Sequence, residues 1–305
     1  MTLPEPDLWI LVTLAAAIFQ TVRFMLQKVL ATATLTAAGA TFSRFLYSGP
    51  FIAVLLAVYM TSSGAALPDL GLRFWAFGLL GGVSQILATV CVVALFKERN
   101  FAVGITFKKT EVIQTVLVGI LLLGETVSGA GLVAIMLGMA GLLLLSGGQQ
   151  ARGVHWRDFN NRAAGLGIAS GVLFAFSAVS YRAATLALAS DDPLLRAGIT
   201  LMAVVAMQTV ILGTWLHLRQ RGEIGRVWAA RRVAFWIGIT SMGGSLCWFI
   251  AFTLQNAAYV KALGQVELIL SVLASTLFFR ETISLREGLG MAILVASILL
   301  LILVI

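Results

Sequence analysis

Charge is what this chain has least of. Only 11% of its 305 residues are Asp, Glu, Lys or Arg, while 60% are hydrophobic and the mean hydropathy is +0.99. A soluble domain carries about 25% charged residues, so most of this chain cannot face water. Cysteine is nearly absent: Cys91 and Cys247 both stand inside apolar runs, and no CxxC or Cys/His spacing occurs. That excludes a disulfide framework and a thiolate metal site. The opening MTLPEPDLW has no basic stretch before an apolar core, so no cleavable signal peptide is expected. Both histidines, His155 and His217, lie in or beside polar breaks, and every Asp stands at the edge of an apolar run. Enzyme chemistry at depth would need a Ser/His pair, paired aspartates or a metal cluster, and ATP drive would need a Walker-type glycine loop. None is present, so the chain is not expected to be an enzyme and no cofactor or metal is expected.

Long apolar runs are what the chain has instead. Stretches of about 20 apolar residues, enough for a helix to cross a bilayer, lie near 8–30, 38–61, 73–96, 101–124, 127–147, 163–188, 193–218, 232–257, 258–279 and 286–304. The breaks between them, such as ALPDLGLR, KERN, GETVSG and SDDP, carry turn chemistry. The alternating segments of about ten residues that mark a barrel do not occur. The pattern predicts an all-α polytopic membrane protein with ten transmembrane helices.

The most hydrophilic break, GGQQARGVHWRDFNNR, splits the chain into residues 1–148, a linker at 149–162, and residues 163–305, with five spans on each side. The halves are alike. TEVIQTVLVGILLLGETVSGAGL aligns with VELILSVLASTLFFRETISLREGL, and Glu111 with Glu267, Glu125 with Glu281, and Cys91 with Cys247 are each 156 residues apart. Five is odd, so the second copy crosses the membrane in the opposite sense. Inverted repeats of this kind build many secondary transporters, with the site near the midplane.

LLLGETVS and its partner LFFRETIS resemble the signature of the drug/metabolite transporter superfamily, EamA-like branch. Ten spans in two five-span repeats within about 300 residues also resemble that family. The resemblance implies transport of small metabolites through a central cavity lined by spans 1, 3, 4, 6, 8 and 9. Val112 and Leu268 stand where members often carry proline, so a proline-driven kink there lacks its usual cause.

Glu111 and Glu267 are the leading site candidates, each about ten residues into an apolar run and so near mid-membrane. A charge at that depth is costly and is by default functional or paired. Lys108 is three residues before Glu111 on one helical face and offers a local ion pair, whereas Glu267 has no basic residue at that spacing. Arg23 late in span 1 and Arg182 late in span 6, with Lys108 and Lys109, make buried cations outnumber the two carboxylates, which points to an anionic or zwitterionic substrate. Arg44, Lys261 and Arg196 are expected to lift their charges to the interface instead. Gln20, Gln85, Gln114, Gln208, Gln255 and Gln265 add neutral polar groups, some expected to line the cavity and others to hydrogen-bond between helices, and Trp248 and Tyr181 could stack on a ring. Glu125 and Glu281 are expected to be structural, and SLRE (Ser284 to Glu287) reads as a capping box.

The sequence thus points to a secondary transporter of the inner (plasma) membrane, working by alternating access. Proton coupling, uncoupled facilitation and exchange remain open alternatives, with an intramembrane enzyme or a scaffold behind them. The expected partners are a small-molecule metabolite and the lipid bilayer, with protons and a homodimer left open and nucleic acid excluded. Lys and Arg concentrate in the loops that share a side with the linker, which places both termini outside the cytoplasm. The family resemblance implies cytoplasmic termini instead.

Overall fold

Why each helix starts and stops can be read at its caps. The computed structural model describes residues 5–33, 35–95, 107–146, 162–279 and 284–305. Its longer helices in the first half are α1 (Glu5–Ala33), α2 (Ala37–Ser63), α3 (Leu72–Leu95), α4 (Glu111–Leu123) and α5 (Gly129–Ser146). The second half contributes α6 (Arg162–Leu186), α7 (Pro193–Arg219), the short α8 (Glu223–Ala229), α9 (Arg231–Leu254), the short α10 (Ala257–Leu263), α11 (Val266–Phe279) and α12 (Leu285–Val304). The Thr36 side chain accepts from Gly39 N to begin α2, and Asp192 accepts from Leu194 N and Leu195 N with Pro193 opening α7. The capping box read in SLRE is formed: Ser284 and Glu287 satisfy each other's backbone amides at the start of α12. Gly124, at φ +66°, closes α4 in the left-handed conformation.

Among the described residues the fold is all-α. Six helices are long and apolar enough to cross a membrane, α2, α3, α6, α7, α9 and α12, and Leu8–Arg23, Glu111–Leu123 and Gly129–Leu145 are shorter apolar helices. The polarity is inside-out. Leu72, Leu121 and Leu303 are more than three-quarters exposed, while Arg23, Arg44, Glu111 and Gln208 are buried. This is the arrangement a lipid solvent demands, since polar groups must find partners within the protein.

Two of the expected continuous spans are broken. In the first half the helix stops at Lys109–Thr110 and restarts as α4 at Glu111; in the second, α10 ends at Leu263 and α11 begins at Val266. Neither break has a proline. The chain instead tightens, with Thr110 N donating to Phe107 O and Gln265 N to Ala262 O, three residues apart rather than four. The breaks lie at positions equivalent under the 156-residue offset, to within one residue. Glu111 and Glu267 therefore sit in the first turn of a half-helix, where a carboxylate is favoured by the helix dipole. From each to the far end of its half-helix is about 18 Å, which is deep in a hydrocarbon layer about 30 Å thick.

The most extensive helix pairings are α3 with α6, α5 with α12, and α1 with α9. The 156-residue offset carries α1 onto α6 and α3 onto α9, so two of these pairings exchange and the third maps onto itself. Helices α5 and α12 touch backbone to backbone. A Cβ on Gly141 would stand 2.9 Å from Gly290 O, and one on Gly290 would stand 2.9 Å from Gly141 O. Close by, Ser297 donates to Ala134 O at 2.7 Å. At the far end of α7, fully buried Glu223 accepts from Thr36 N at 2.6 Å and pairs with Arg226, which ties α8 to the start of α2. The linker through residue 161 and Glu281 lie outside the described residues.

Candidate functional site

A polar interior is held between α1, α2, α3, α6, α9 and α10. A cavity of about 30 Å³ lies there, lined among others by Gln20, Arg23, Arg44, Tyr181, Trp248 and Lys261. That is room for about one water. The charged groups on the wall are Arg23, Arg44 and Lys261, and among the described residues no carboxylate joins them. The carboxylates stand one contact behind. Glu111 Oε1 is 2.5 Å from Lys261 Nζ and its Oε2 is 3.3 Å from Lys108 Nζ. Glu267 Oε2 accepts from Gln20 Nε2 at 2.7 Å, and Lys109 and Lys108 both act on Glu267 electrostatically.

Each cation is positioned by neighbours that the fold brings to it. Arg44, only 4% exposed, donates to Ser245 Oγ at 3.1 Å and Thr89 Oγ1 at 3.4 Å, both neutral hydroxyls. Arg23 donates to Gln20 Oε1 at 3.4 Å. The Lys261 ammonium lies 5.0 Å from the Trp248 ring centre, 5.5 Å from Phe174 and 5.8 Å from Phe252. Trp248 and Phe252 are stacked, 5.7 Å apart, so they form one wall of an aromatic box closed by Glu111. Trp248 Nε1 donates to Gln20 Oε1 at 3.2 Å, and Gln85 Oε1 accepts from Tyr181 and from Gln208. Gly171 lets α6 approach this centre: a Cβ there would stand 3.1 Å from Lys108 O.

Comparison with known proteins gives one family match. The model of the EamA-like transporter family matches residues 162–303. That stretch of the chain is EamA-like transporter sequence. The match bears out the likeness to the drug/metabolite transporter superfamily over the stretch that holds the second of the two glutamate motifs. Among curated proteins no match is found. One solved crystal structure aligns over 95% of this chain and 99% of its own, with a TM-score of 0.64 at 18% identity, a likeness of fold alone.

The expected site residues divide. Arg23, Gln85, Trp248 and Tyr181 line the cavity, and Glu111, Glu267 and Lys108 stand directly behind it. Lys109 and Gln265 face a separate cavity of about 10 Å³ against α5 and α12. Gln114 turns to its own helix, donating to Thr110 Oγ1 at 2.9 Å. Arg182 is committed elsewhere: its Nε lies 2.7 Å from Glu125 Oε1, and it donates to the carbonyls of Phe252 and Gln255 at 2.7 and 2.8 Å, where α9 ends.

Two expectations are corrected. Arg44 and Lys261 do not reach for the interface but turn inward onto the cavity. The reason for Lys261 is local, since the break after α10 places it beside Glu111 and the aromatic box, a better partner set than distant water. For Arg44 the Ser245 and Thr89 hydroxyls supply acceptors inside. Spacing alone could not reveal either, because these partners come from helices remote in sequence. Arg196 stays near a helix end, donating from Nε to Thr185 O at 2.8 Å. Gln20, one of the polar groups expected in the sequence, lines the cavity, and Ser245 is a cavity group without a clear signal there.

Proposed function

We propose that this chain is a secondary transporter of the inner membrane that moves a small anionic or zwitterionic metabolite by alternating access. The single observation behind the substrate class is the cavity wall, where Arg23, Arg44 and Lys261 converge with no carboxylate among the described residues. A cluster of buried cations in low dielectric is costly unless a negative partner is present.

The two breaks, equivalent under one sequence offset, and the exchange of helix pairings by that offset support a site held between two inverted repeats. The cavity is too small for a metabolite in this conformation, so the halves must part to admit one. Lys261 of the second half bonded to Glu111 of the first is the contact such a motion would remake.

A thermal-shift screen of metabolites on the purified protein, followed by flux of the stabilising compounds into liposomes, tests the reading. Compounds that stabilise should be anionic or zwitterionic, and at least one should be carried faster than in empty liposomes. A screen whose only hits are cations or neutral molecules overturns it. Proton coupling is tested in the same vesicles with an imposed pH gradient. Glu267, faced by Gln20, Lys108, Lys109, Glu111 and Arg23, is the residue we assign to it. Glu267→Gln should abolish pH-dependent flux at near-normal expression, and pH dependence that survives the change removes that role.

A further inference from the structure

We infer that the anionic group of the substrate is held by Arg44 and Arg23, and that the substrate carries no free ammonium group. This rests on the transport reading and narrows its substrate class.

Arg44 is the anchor. Its guanidinium is buried on the cavity wall, and its hydrogen bonds go to two neutral hydroxyls, Ser245 and Thr89; among the described residues it has no carboxylate in ion-pair contact. Arg23 comes from α1 and lines the same cavity, where the charges of both Arg44 and Glu267 act on it. Two buried arginines on the wall of one cavity present several N–H donors to one small volume, a fit for a carboxylate or a phosphate. An anion between them would satisfy donors that hydroxyls hold only weakly.

The same wall is closed to an ammonium. Its natural receptors are a carboxylate or an aromatic box. The box of Phe174, Trp248 and Phe252 already holds Lys261, and Glu111 already takes Lys261 and Lys108. The amide oxygens of Gln20 and Gln85 on the wall are engaged as well, by Trp248 and Arg23 and by Tyr181 and Gln208. Glu267 stands behind Gln20 and is faced by Lys109, Lys108 and Arg23, so an ammonium entering here would meet three cations and no carboxylate among the described residues that line the wall.

The test uses the full chain in detergent and follows melting temperature at constant ionic strength, with propionate, L-alanine and inorganic phosphate as probes. Propionate and alanine share a skeleton and differ by one ammonium. The expected result is saturable stabilisation by propionate or by phosphate, which tells a planar from a tetrahedral anion, and at least tenfold weaker apparent affinity for alanine than for propionate where propionate binds. Arg44→Gln should abolish the saturable shift, and Arg44→Lys should retain the charge but weaken the shift through loss of the bidentate fork. If Arg44→Gln does not fold, the Lys variant alone carries the comparison. Stabilisation by alanine as strong as by propionate overturns the inference while leaving transport intact. So does an anion shift unaltered in the Arg44 variants, or no saturable shift with any of the three probes. Stabilisation as expected with no flux of any anion would leave the site standing and remove the transport reading instead.

Discussion

Lys261 Nζ lies 2.5 Å from Glu111 Oε1, joining the short helix α10 of the second half to the first turn of α4 in the first. Lys108 bonds the other oxygen of the same carboxylate from the preceding turn. One buried carboxylate therefore holds two ammoniums, and the aromatic rings around Lys261 shield that contact from water.

Removing the carboxylate should cost more than removing either lysine. Glu111→Gln leaves two buried cations without their counterion, a loss of about 3–5 kcal/mol for a broken buried pair. Lys261→Gln leaves Glu111 still paired with Lys108 and should cost less. Melting temperatures of the two variants in detergent check the order, with Glu111→Gln expected to be the lower.

Arg182 should behave as a structural brace. Its guanidinium bonds Glu125 beyond the end of α4 and two carbonyls at the end of α9, so it joins elements from both halves. Arg182→Gln should lower the melting temperature, by the order of 2–4 kcal/mol in stability. It should leave the ratio of affinities for an anionic ligand and its neutral analogue unchanged. A change in that ratio would move Arg182 into the substrate site.

Much of this is legible in the sequence, and the limits have a physical cause. The two glutamates stand out because charge is rare in an apolar run, and the offset of 156 residues pairs them from the sequence alone. The capping box at Ser284 is local chemistry and is readable for the same reason. The helix breaks are not, since proline is the expected signal and the chain makes the turn at Lys109–Thr110 and Gly264–Gln265 without it. Nor can spacing say which cations turn inward. Arg44 and Lys261 are held by Ser245, Thr89, Glu111 and Trp248, and only tertiary packing brings those residues together.

The contact of α5 with α12 depends on two missing side chains. Gly290→Ala places a methyl group against Gly141 O and the Leu145 backbone, so the helices must separate. Overpacking of a close contact costs about 1–3 kcal/mol. Gly290→Ala should lower the melting temperature, and Gly288→Ala, with open space around its Cβ position, should leave it near the wild-type value.

The central claim is a cation-lined cavity reached in turn from both sides of the membrane, and one labelling experiment tests both parts. Ser245 lines the cavity 3.1 Å from Arg44, so Ser245→Cys, in a chain with Cys91 and Cys247 replaced by Ser, reports on that wall. Membrane-impermeant methanethiosulfonates, one bearing a sulfonate and one a quaternary ammonium, are applied from each side of sealed vesicles in turn. The account predicts labelling from both sides, with the sulfonate reagent reacting faster from each once rates are corrected to a free thiol in solution. Labelling from one side alone, or faster reaction with the ammonium reagent, would contradict it.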